Sequence, residues 1–353
     1  MIYGKLIRPL LFALSPEQAH HAVLVTLSLI GRIPGGKWLL HRLYAVEHPS
    51  LEREVFGIRF KNPIGMAAGF DRYGHIYREL SAMGFGFVEV GSITPQPQSG
   101  NPKPRIFRIE TATAILNRVG ICSHGLDRAV VHLRQSRKNE IVGCNIGRNT
   151  STPAEYAPAD YLKSFRNLYQ YADYFTINVA CDPGQKAASY QTRENITRIL
   201  EPLFEFRRGQ NQYRPILLKV SPDLSNETID MMTDIMIETP LDGMVAVNAT
   251  ASRAGITEEE SMRLGTGVIS GMPLTNRALE VVKRIHSRSH GTYPIIGVGG
   301  IMTPEDVKAM LDAGASLVQI YTGYIYNGPR YIKDICRALI CEQDEKSGKM
   351  CEV

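Results

Sequence analysis

Two glycine-bearing stretches carry the clearest chemistry in this chain: Gly297-Val298-Gly299-Gly300-Ile301 and Gln319-Ile320-Tyr321-Thr322-Gly323. Each follows an apolar run that reads as a strand and precedes a helical segment. Bare backbone N–H groups at such turns form a cradle for an anion, above all a phosphate. A single tight turn can need glycine for its own geometry; two such turns after the last two strands favour the phosphate. Ala67-Ala68-Gly69-Phe70-Asp71-Arg72 follows an earlier apolar run. Its small residues let a flat ring approach the backbone, and Arg72 sets a cation beside that ring, unless it pairs with Asp71 or Glu79. Four amides, Asn117, Asn145, Asn178 and Asn248, fall at strand ends. One strand-end Asn is usually a turn former; four that converge suit a polar heterocycle, because amides both donate and accept. Lys219 closes an apolar run, where a buried ammonium needs an anionic or electron-rich partner. Asp223 is the nearby alternative. Cys181 stands three residues after Asn178. A thiol, with an ordinary pKa of about 8.5, becomes a general base near neutral pH when its surroundings lower that value; the plainer alternative is a small apolar filler.

The elements that would position these groups alternate regularly from about residue 55. Strands are expected at Ile64–Met66, Phe87–Val90, Val142–Ile146, Tyr174–Val179, Ile216–Val220, Gly243–Val247, Ile295–Val298 and Leu317–Ile320, with helices such as Asn226–Ile237 and Pro304–Leu311 between them. Eight strand–helix units predict an α/β fold of the (β/α)8 TIM-barrel type, with the chemistry at the strands' C-terminal ends. No GxGxxG sits between the first strand and helix, which argues against a dinucleotide-binding open sheet. Pro102–Ile109 reads as a small extra hairpin. Ser252–Gly271, rich in Gly, Ser and Glu, reads as a mobile loop.

The chain has 353 residues, a formal charge of +5, 44% apolar and 21% charged residues. That suits one barrel with an extension, and no basic stripe interleaved with aromatics points to nucleic acid. The mild positive excess suits anionic ligands or an anionic membrane surface. Cysteines at 122, 144, 181, 336, 341 and 351 show no CxxC or zinc spacing, so no metal is expected and the thiols read as reduced. The apolar start lacks the marks of a secretory signal, and no apolar run is long enough to span a bilayer. Three parts are expected: a helical module over 1–45, the barrel over 46–341 and a polar tail over 342–353. In the first, Leu6, Ile7, Leu10, Leu11 and Leu14 recur at helical spacing, interrupted by Pro9, and Ser15-Pro16-Glu17-Gln18 marks a helix start. This module suits either a cap packed on the barrel or an amphipathic patch lying in a membrane interface.

Taken in order and spacing, AAGFDRYG, MGFGFVEVGSITPQPQSGNPKPRIFRI, LNRVG, CNIGRN, INVAC, LKVSPD, VNAT, ISGMPL, IIGVGGI and VQIYTGYIYNGP resemble the dihydroorotate dehydrogenases. SPEQAH is similar to the N-terminal segment of their quinone-linked, membrane-associated class 2 branch. The resemblance runs from about Tyr3 to Leu339. It implies FMN as cofactor, with Ala68 and Gly69 against the flavin ring. Arg72, Ser92, Asn145, Asn178, Lys219 and Val247 would stand at its polar edge, and Gly271, Gly300, Tyr321 and Thr322 at its phosphate. It implies a substrate pocket of Arg72, Asn117, Arg118, Val119, Gly120, Ile121, Asn178, Asn248 and Ala249, with Cys181 as general base. It implies oxidation of dihydroorotate to orotate in pyrimidine (UMP) biosynthesis, electrons passing to a quinone in a tunnel near His20 and Arg108. The protein would then sit peripherally on the cytoplasmic side of the membrane. The substrate side departs from the family pattern. Cys181 stands where the class 2 branch has Ser, Arg72 where Lys is expected, Val247 and Ala249 where Thr is usual. Ile121-Cys122 replaces an aromatic and an amide, and Pro183 a substrate-binding Asn. Two further readings follow: an FMN oxidoreductase for another small substrate, or a non-catalytic flavin-binding paralogue.

Overall fold

The computed structural model describes residues 3–134, 140–179, 191–346 and 348. Thirteen strands lie among them: β1 (Arg53–Val55), β2 (Ile58–Phe60), β3 (Ile64–Met66), β4 (Phe87–Ile93), β5 (Ile106–Ile109), β6 (Ala114–Asn117), β7 (Val142–Ile146), β8 (Tyr174–Asn178), β9 (Ile216–Val220), β10 (Gly243–Ala246), β11 (Val268–Gly271), β12 (Ile295–Val298) and β13 (Leu317–Ile320). Eight of these close a parallel barrel in the order β10-β12-β13-β3-β4-β7-β8-β9. They are the eight expected strands, with ends moved by three residues at most. Their continuous apolar character has a direct cause: each strand is covered on one face by helices and on the other by the barrel interior. The expected helices run Asn226–Glu238 and Pro304–Asp312, started by the side chains of Ser225 and Thr303.

The barrel interior is graded along its axis. At the lower end Phe87, Tyr174, Leu217, Val245, Ile296 and Leu317 pack together, and the β1–β2 hairpin plugs the opening with Val55 and Phe60. One inward position further along, the residues turn polar: Glu89, Asn145, Thr176, Lys219 and Gln319, all buried. The strands' C-terminal ends then open onto a cavity.

Two expectations are corrected at the rim. Ser252–Gly271 is not a plain loop. It contains a helix, Glu258–Leu264, and β11. The glutamates that read as loop polarity are the helix's first turn, where the dipole favours negative charge, and Thr257 with Glu260 forms a capping box. The extra hairpin starts at Ile106, and β5 pairs with β6 while β11 adds to the other edge of β6. Arg118 ties this lobe down by donating to the carbonyls of Leu264 and Thr266.

At the N-terminus, α1 (Arg8–Ala13), α2 (Pro16–Arg32) and α3 (Gly36–Tyr44) follow a short π-helical turn. Pro9 stands in the first turn of α1 rather than interrupting it, since an N–H there makes no bond within that helix. The Ser15–Gln18 capping box forms as expected. No single described helix is long and apolar enough to cross a membrane; α2 and α3 meet at a bend of 114°. The module is fastened to the barrel. Arg105 pairs with Glu17 at 2.9 Å. Arg108 donates to the carbonyls of Leu11, Phe12 and Leu14 and lies over the Phe12 ring. Tyr3 and Arg8 donate to the carbonyls of Ile325 and Tyr326. At the other end, the last helix runs Tyr331–Lys346, into the segment read as a tail. Cys122, Cys144 and Cys336 are free thiols, whereas Cys341 is disulfide-bonded. That corrects the expectation of reduced thiols throughout, for spacing along the chain says nothing of which sulfurs meet in space.

Arg108→Leu removes the donors that hold the last turn of α1. Its expected effect is local opening: proteolysis within the first fifteen residues should quicken roughly tenfold, with the barrel's melting temperature lowered by no more than about 4 °C. Unchanged proteolysis would show that α1 is held by other contacts.

Candidate active site

One cavity of about 980 Å³ runs from beneath the N-terminal helices to the barrel mouth. Its outer half is apolar, with Ile7, Leu11, Phe12, Ala19, Val23, Leu27, Ile30 and Leu40 in the wall. Its inner half is glycine-rich and polar. Of the expected site residues that are described, all line this cavity except Asn145. Cys181, together with Asp182 and Pro183, lies outside the described residues.

The inner half is built from strand ends. After β3, Ala67, Ala68 and Gly69 form a flat wall, and Gly69 has φ +100°. Arg72 Nε donates to the Gly69 carbonyl at 3.1 Å; the local pairing with Asp71 or Glu79 is not formed. Asp71 is fully buried and accepts the N–H groups of His75 and Ile76 at 2.8 Å. Burial pushes its carboxyl up, against the lowering effect of those amides. In β4 the register shifts between Val90 and Ile93, which brings Ser92 to the cavity. Gly91 is required at that bulge, because a Cβ would stand 2.4 Å from the Asn145 carbonyl oxygen.

Ser92, Asn145 and Asn178 form a triangle. The Ser92 hydroxyl donates to Asn145 Oδ1, and Asn178 Nδ2 donates to Ser92 Oγ at 3.0 Å and to Asn145 Oδ1 at 3.3 Å. Asn145 thus supports the two cavity-lining groups from behind. Lys219 is 5% exposed. Its ammonium lies 3.9 Å from Glu89 and forms no hydrogen bond among the described residues. Asp223, the nearby alternative partner, accepts instead from the Thr250 hydroxyl and the Ala251 amide. Gln319 also reaches the cavity, and its Oε1 is buried without a partner among the described residues. Below these groups Glu89 gathers Asn145, Tyr174, Thr176 and Gln319. Sequence reasoning missed Glu89, Thr176 and Gln319. The available signal was polar character at inward positions of otherwise apolar strands, which is rare without a partner.

The far wall holds Gly271, Gly299, Gly300, Tyr321, Thr322 and Gly323. A Cβ on Gly300 would meet Thr275 Cα at 2.2 Å, and one on Gly271 the Thr113 carbonyl oxygen at 2.5 Å. These glycines let the backbone of this wall pack closely on its neighbours, where a side chain would collide with them. The third wall carries Asn117, Arg118, Val119, Gly120, Ile121, Cys122, Val247, Asn248 and Ala249. Asn117 Oδ1 accepts the Val119 amide, and Asn248 Oδ1 the Ala249 amide. The guanidinium of Arg118 stays with Leu264 and Thr266 and with the Phe107 ring. Tyr73 OH lies 3.3 Å from Cys122 Sγ.

Where the two halves meet, the His20 ring stands edge-on to Phe70, with centroids 5.2 Å apart. Burial, and then the Arg72 cation, push its imidazole down to about 4. Arg108 lines the outer half but keeps its donors on the α1 carbonyls.

A cavity at the C-terminal face of a closed parallel barrel, with glycine turns after the last two strands, defines a (β/α)8-barrel enzyme. Residues 50–342 match the family model described as Dihydroorotate dehydrogenase, and the chain belongs to that family. It is 44% identical over 339 residues, covering 96% of this chain and 99% of its relative, to the dihydroorotate dehydrogenase (quinone) of Christiangramia forsetii. It is 41% identical to that of Thermosynechococcus vestitus, with 98% of each chain covered. Among solved structures, ligand-free DHODH from Eimeria tenella matches with a TM-score of 0.85 at 31% identity, over 96% of this chain and 97% of that one. The same enzyme in complex with ferulenol matches with a TM-score of 0.82 at 30% identity, over 96% and 94%.

His20 yields a pH prediction. In the folded protein it stays neutral down to about 4, whereas the unfolded chain takes a proton near 6.5. The unfolded state therefore binds more protons between these values, and stability falls as pH falls through that window. His20→Phe should flatten this part of the profile. Equal slopes for parent and variant in melts from pH 6.5 to 4 would contradict the assignment.

Proposed function

We propose that this chain oxidises dihydroorotate to orotate, with FMN as bound cofactor and a quinone as electron acceptor. The observation that carries the reading is the continuity of one cavity, polar and glycine-walled at the barrel mouth and apolar under the helices. The inner half suits FMN on three counts. The Ala67–Gly69 wall admits a flat ring, the Lys219 ammonium and Gln319 Oε1 lack hydrogen-bond partners among the described residues, and Gly271, Gly299, Gly300 and Gly323 bring bare backbone to the far wall. Ala68 and Gly69 would hold the ring, and Lys219, Ser92 and Asn178 its polar edge, with Asn145 behind them and Val247 beside them. Gly271, Gly300, Tyr321 and Thr322 would hold the phosphate. When bound, FMN supplies a two-electron acceptor for hydride.

The chain's own residues supply position and the proton path. Arg72 places a cation for the substrate carboxylate, although bidentate pairing of a guanidinium differs from the point contact of a lysine. Asn117, Asn178 and Asn248 orient the ring, and Val119, Gly120, Ile121 and Ala249 enclose it. Arg118 keeps this rim in place through its hold on the 258–271 lobe. Cys181 Sγ takes the proton from the ring carbon next to the carbonyl. It follows β8, whose end bears Asn178 at the cavity. Neutral His20 closes the junction to the quinone tunnel.

The same reading makes the protein peripheral on the cytoplasmic side of a membrane. Leu10 and Trp38 are 72% and 68% exposed, and Leu6, Leu29, Leu39 and Leu43 share the module's open surface. Lys5, Arg32, Lys37 and Arg42 lie among them, a composition that suits an anionic interface. A second reading, another small substrate on the same flavin, is favoured by the weakly polar surface of Ile121, Cys122 and Ala249.

Anaerobic titration with dihydroorotate should bleach the flavin absorbance stoichiometrically. A flavin-loaded protein that stays yellow would remove dihydroorotate and favour the second reading. Cys181→Ser should slow bleaching and move its pH profile to higher pH, since a hydroxyl is the weaker acid; an unmoved profile would exclude Cys181 as base. Leu10→Glu with Trp38→Glu should weaken binding to anionic vesicles roughly tenfold or more, and unchanged binding would exclude this face as the docking surface.

A further inference from the structure

Glu89 is a carboxylate with no solvent exposure, near the axis of the barrel and one layer below the cavity floor. It accepts four hydrogen bonds: from Asn145 Nδ2 at 2.9 Å on one oxygen, and from Gln319 Nε2 at 2.8 Å, Thr176 Oγ1 at 3.0 Å and the Tyr174 hydroxyl at 3.2 Å on the other. One oxygen thus accepts three of the four, and the other accepts one and faces Lys219. Each oxygen faces an amide N–H that can only donate, from Asn145 on one and from Gln319 on the other, and this suits the carboxylate form. The Tyr174 phenol stays protonated, pushed well above its usual range by burial and by Glu89 beside it.

Two consequences reach the cavity. The ammonium of Lys219 is 3.9 Å from Glu89 Oε1, close enough to balance its charge but beyond hydrogen-bond length. Lys219 thus has an anion beside it while its N–H groups stay available to a ligand. Glu89 also fixes the orientation of the amide relay above it. Because Asn145 Nδ2 points to Glu89, Asn145 Oδ1 faces Ser92 and Asn178, and both of those must donate to it. The direction of every hydrogen bond in the triangle follows from the charge on one residue.

We infer that Glu89 is a positioning residue which sets the charge and the donor direction that Lys219, Ser92 and Asn178 present to the bound flavin, and through them its reduction potential. This rests on the flavin reading of the cavity. Nothing in it requires Glu89 to touch flavin or substrate, since Asn145 and Lys219 stand between.

The test compares the flavin-loaded parent with Glu89→Gln, Glu89→Asp and Thr176→Val, by equilibrium redox titration against a reference dye and by the visible spectrum. Glu89→Gln removes the negative charge at nearly constant shape. The uncompensated Lys219 then favours the electron-rich reduced flavin, and the reduction equilibrium should move at least tenfold toward it, about 30 mV for a two-electron couple. Glu89→Asp keeps the charge and should stay within threefold of the parent, whatever it costs in melting temperature. Thr176 does not line the cavity, and among the described residues its hydroxyl bonds only to Glu89. Thr176→Val leaves the carboxylate charge less shared and should move the equilibrium at least threefold toward the oxidised form, which keeps the inference testable if Glu89→Gln does not fold. Potentials within twofold of the parent for Thr176→Val and any folded Glu89→Gln would overturn the role of Glu89 and leave the flavin reading intact. A parent protein that takes up no flavin would overturn that reading and this inference with it.

Discussion

The structure depends on an ammonium and a carboxylate buried side by side in the barrel. Desolvating two charges costs several kcal/mol, and their attraction repays this only where the remaining hydrogen-bonding capacity is met. Glu89 meets the condition with four donors drawn from three strands, β7, β8 and β13, with Thr176 and Tyr174 both on β8. Lys219 does not meet it within the described residues, and the shortfall lies on the cavity side. The grading of the interior follows. Apolar side chains and the β1–β2 plug exclude water below, polar groups fill one layer, and glycine and alanine keep the space above them open.

The N-terminal module extends that arrangement outward. Two arginines of the barrel rim, Arg105 and Arg108, bind its helices by an ion pair and by carbonyl capping. Its inner faces line the cavity while Leu10 and Trp38 face outward. The module is therefore a cap packed on the barrel, and its outer face leaves large apolar side chains exposed. It lengthens a polar pocket into a passage with an apolar end, and the neutral His20 marks the change of character.

The barrel was legible in the sequence because strands buried on both faces read as unbroken apolar runs between recognisable helix caps. The cavity wall was legible for a related reason: its residues fall just after those runs. What stayed hidden depends on partners distant along the chain. Glu89 looked like one more residue of an apolar strand, and Lys219 invited pairing with Asp223, four positions away, rather than with Glu89. Arg108 and Arg118 read as ligand contacts, yet their partners are backbone carbonyls, which leave no trace in side-chain identity. The 252–271 lobe read as a loop because β11 pairs with β6, where Ile269 lies opposite Leu116. Cys181, the proposed base, follows β8 in a segment outside the described residues.

The central claim is that the unsatisfied polar groups at the barrel mouth exist for a flavin. A crystal structure of the FMN-loaded protein tests it most directly. The account predicts the flavin ring against Ala68 and Gly69, the Lys219 ammonium hydrogen-bonded to it, and Glu89 still holding its four donors. A ring seated elsewhere, or Lys219 turned away to Asp223, would contradict it.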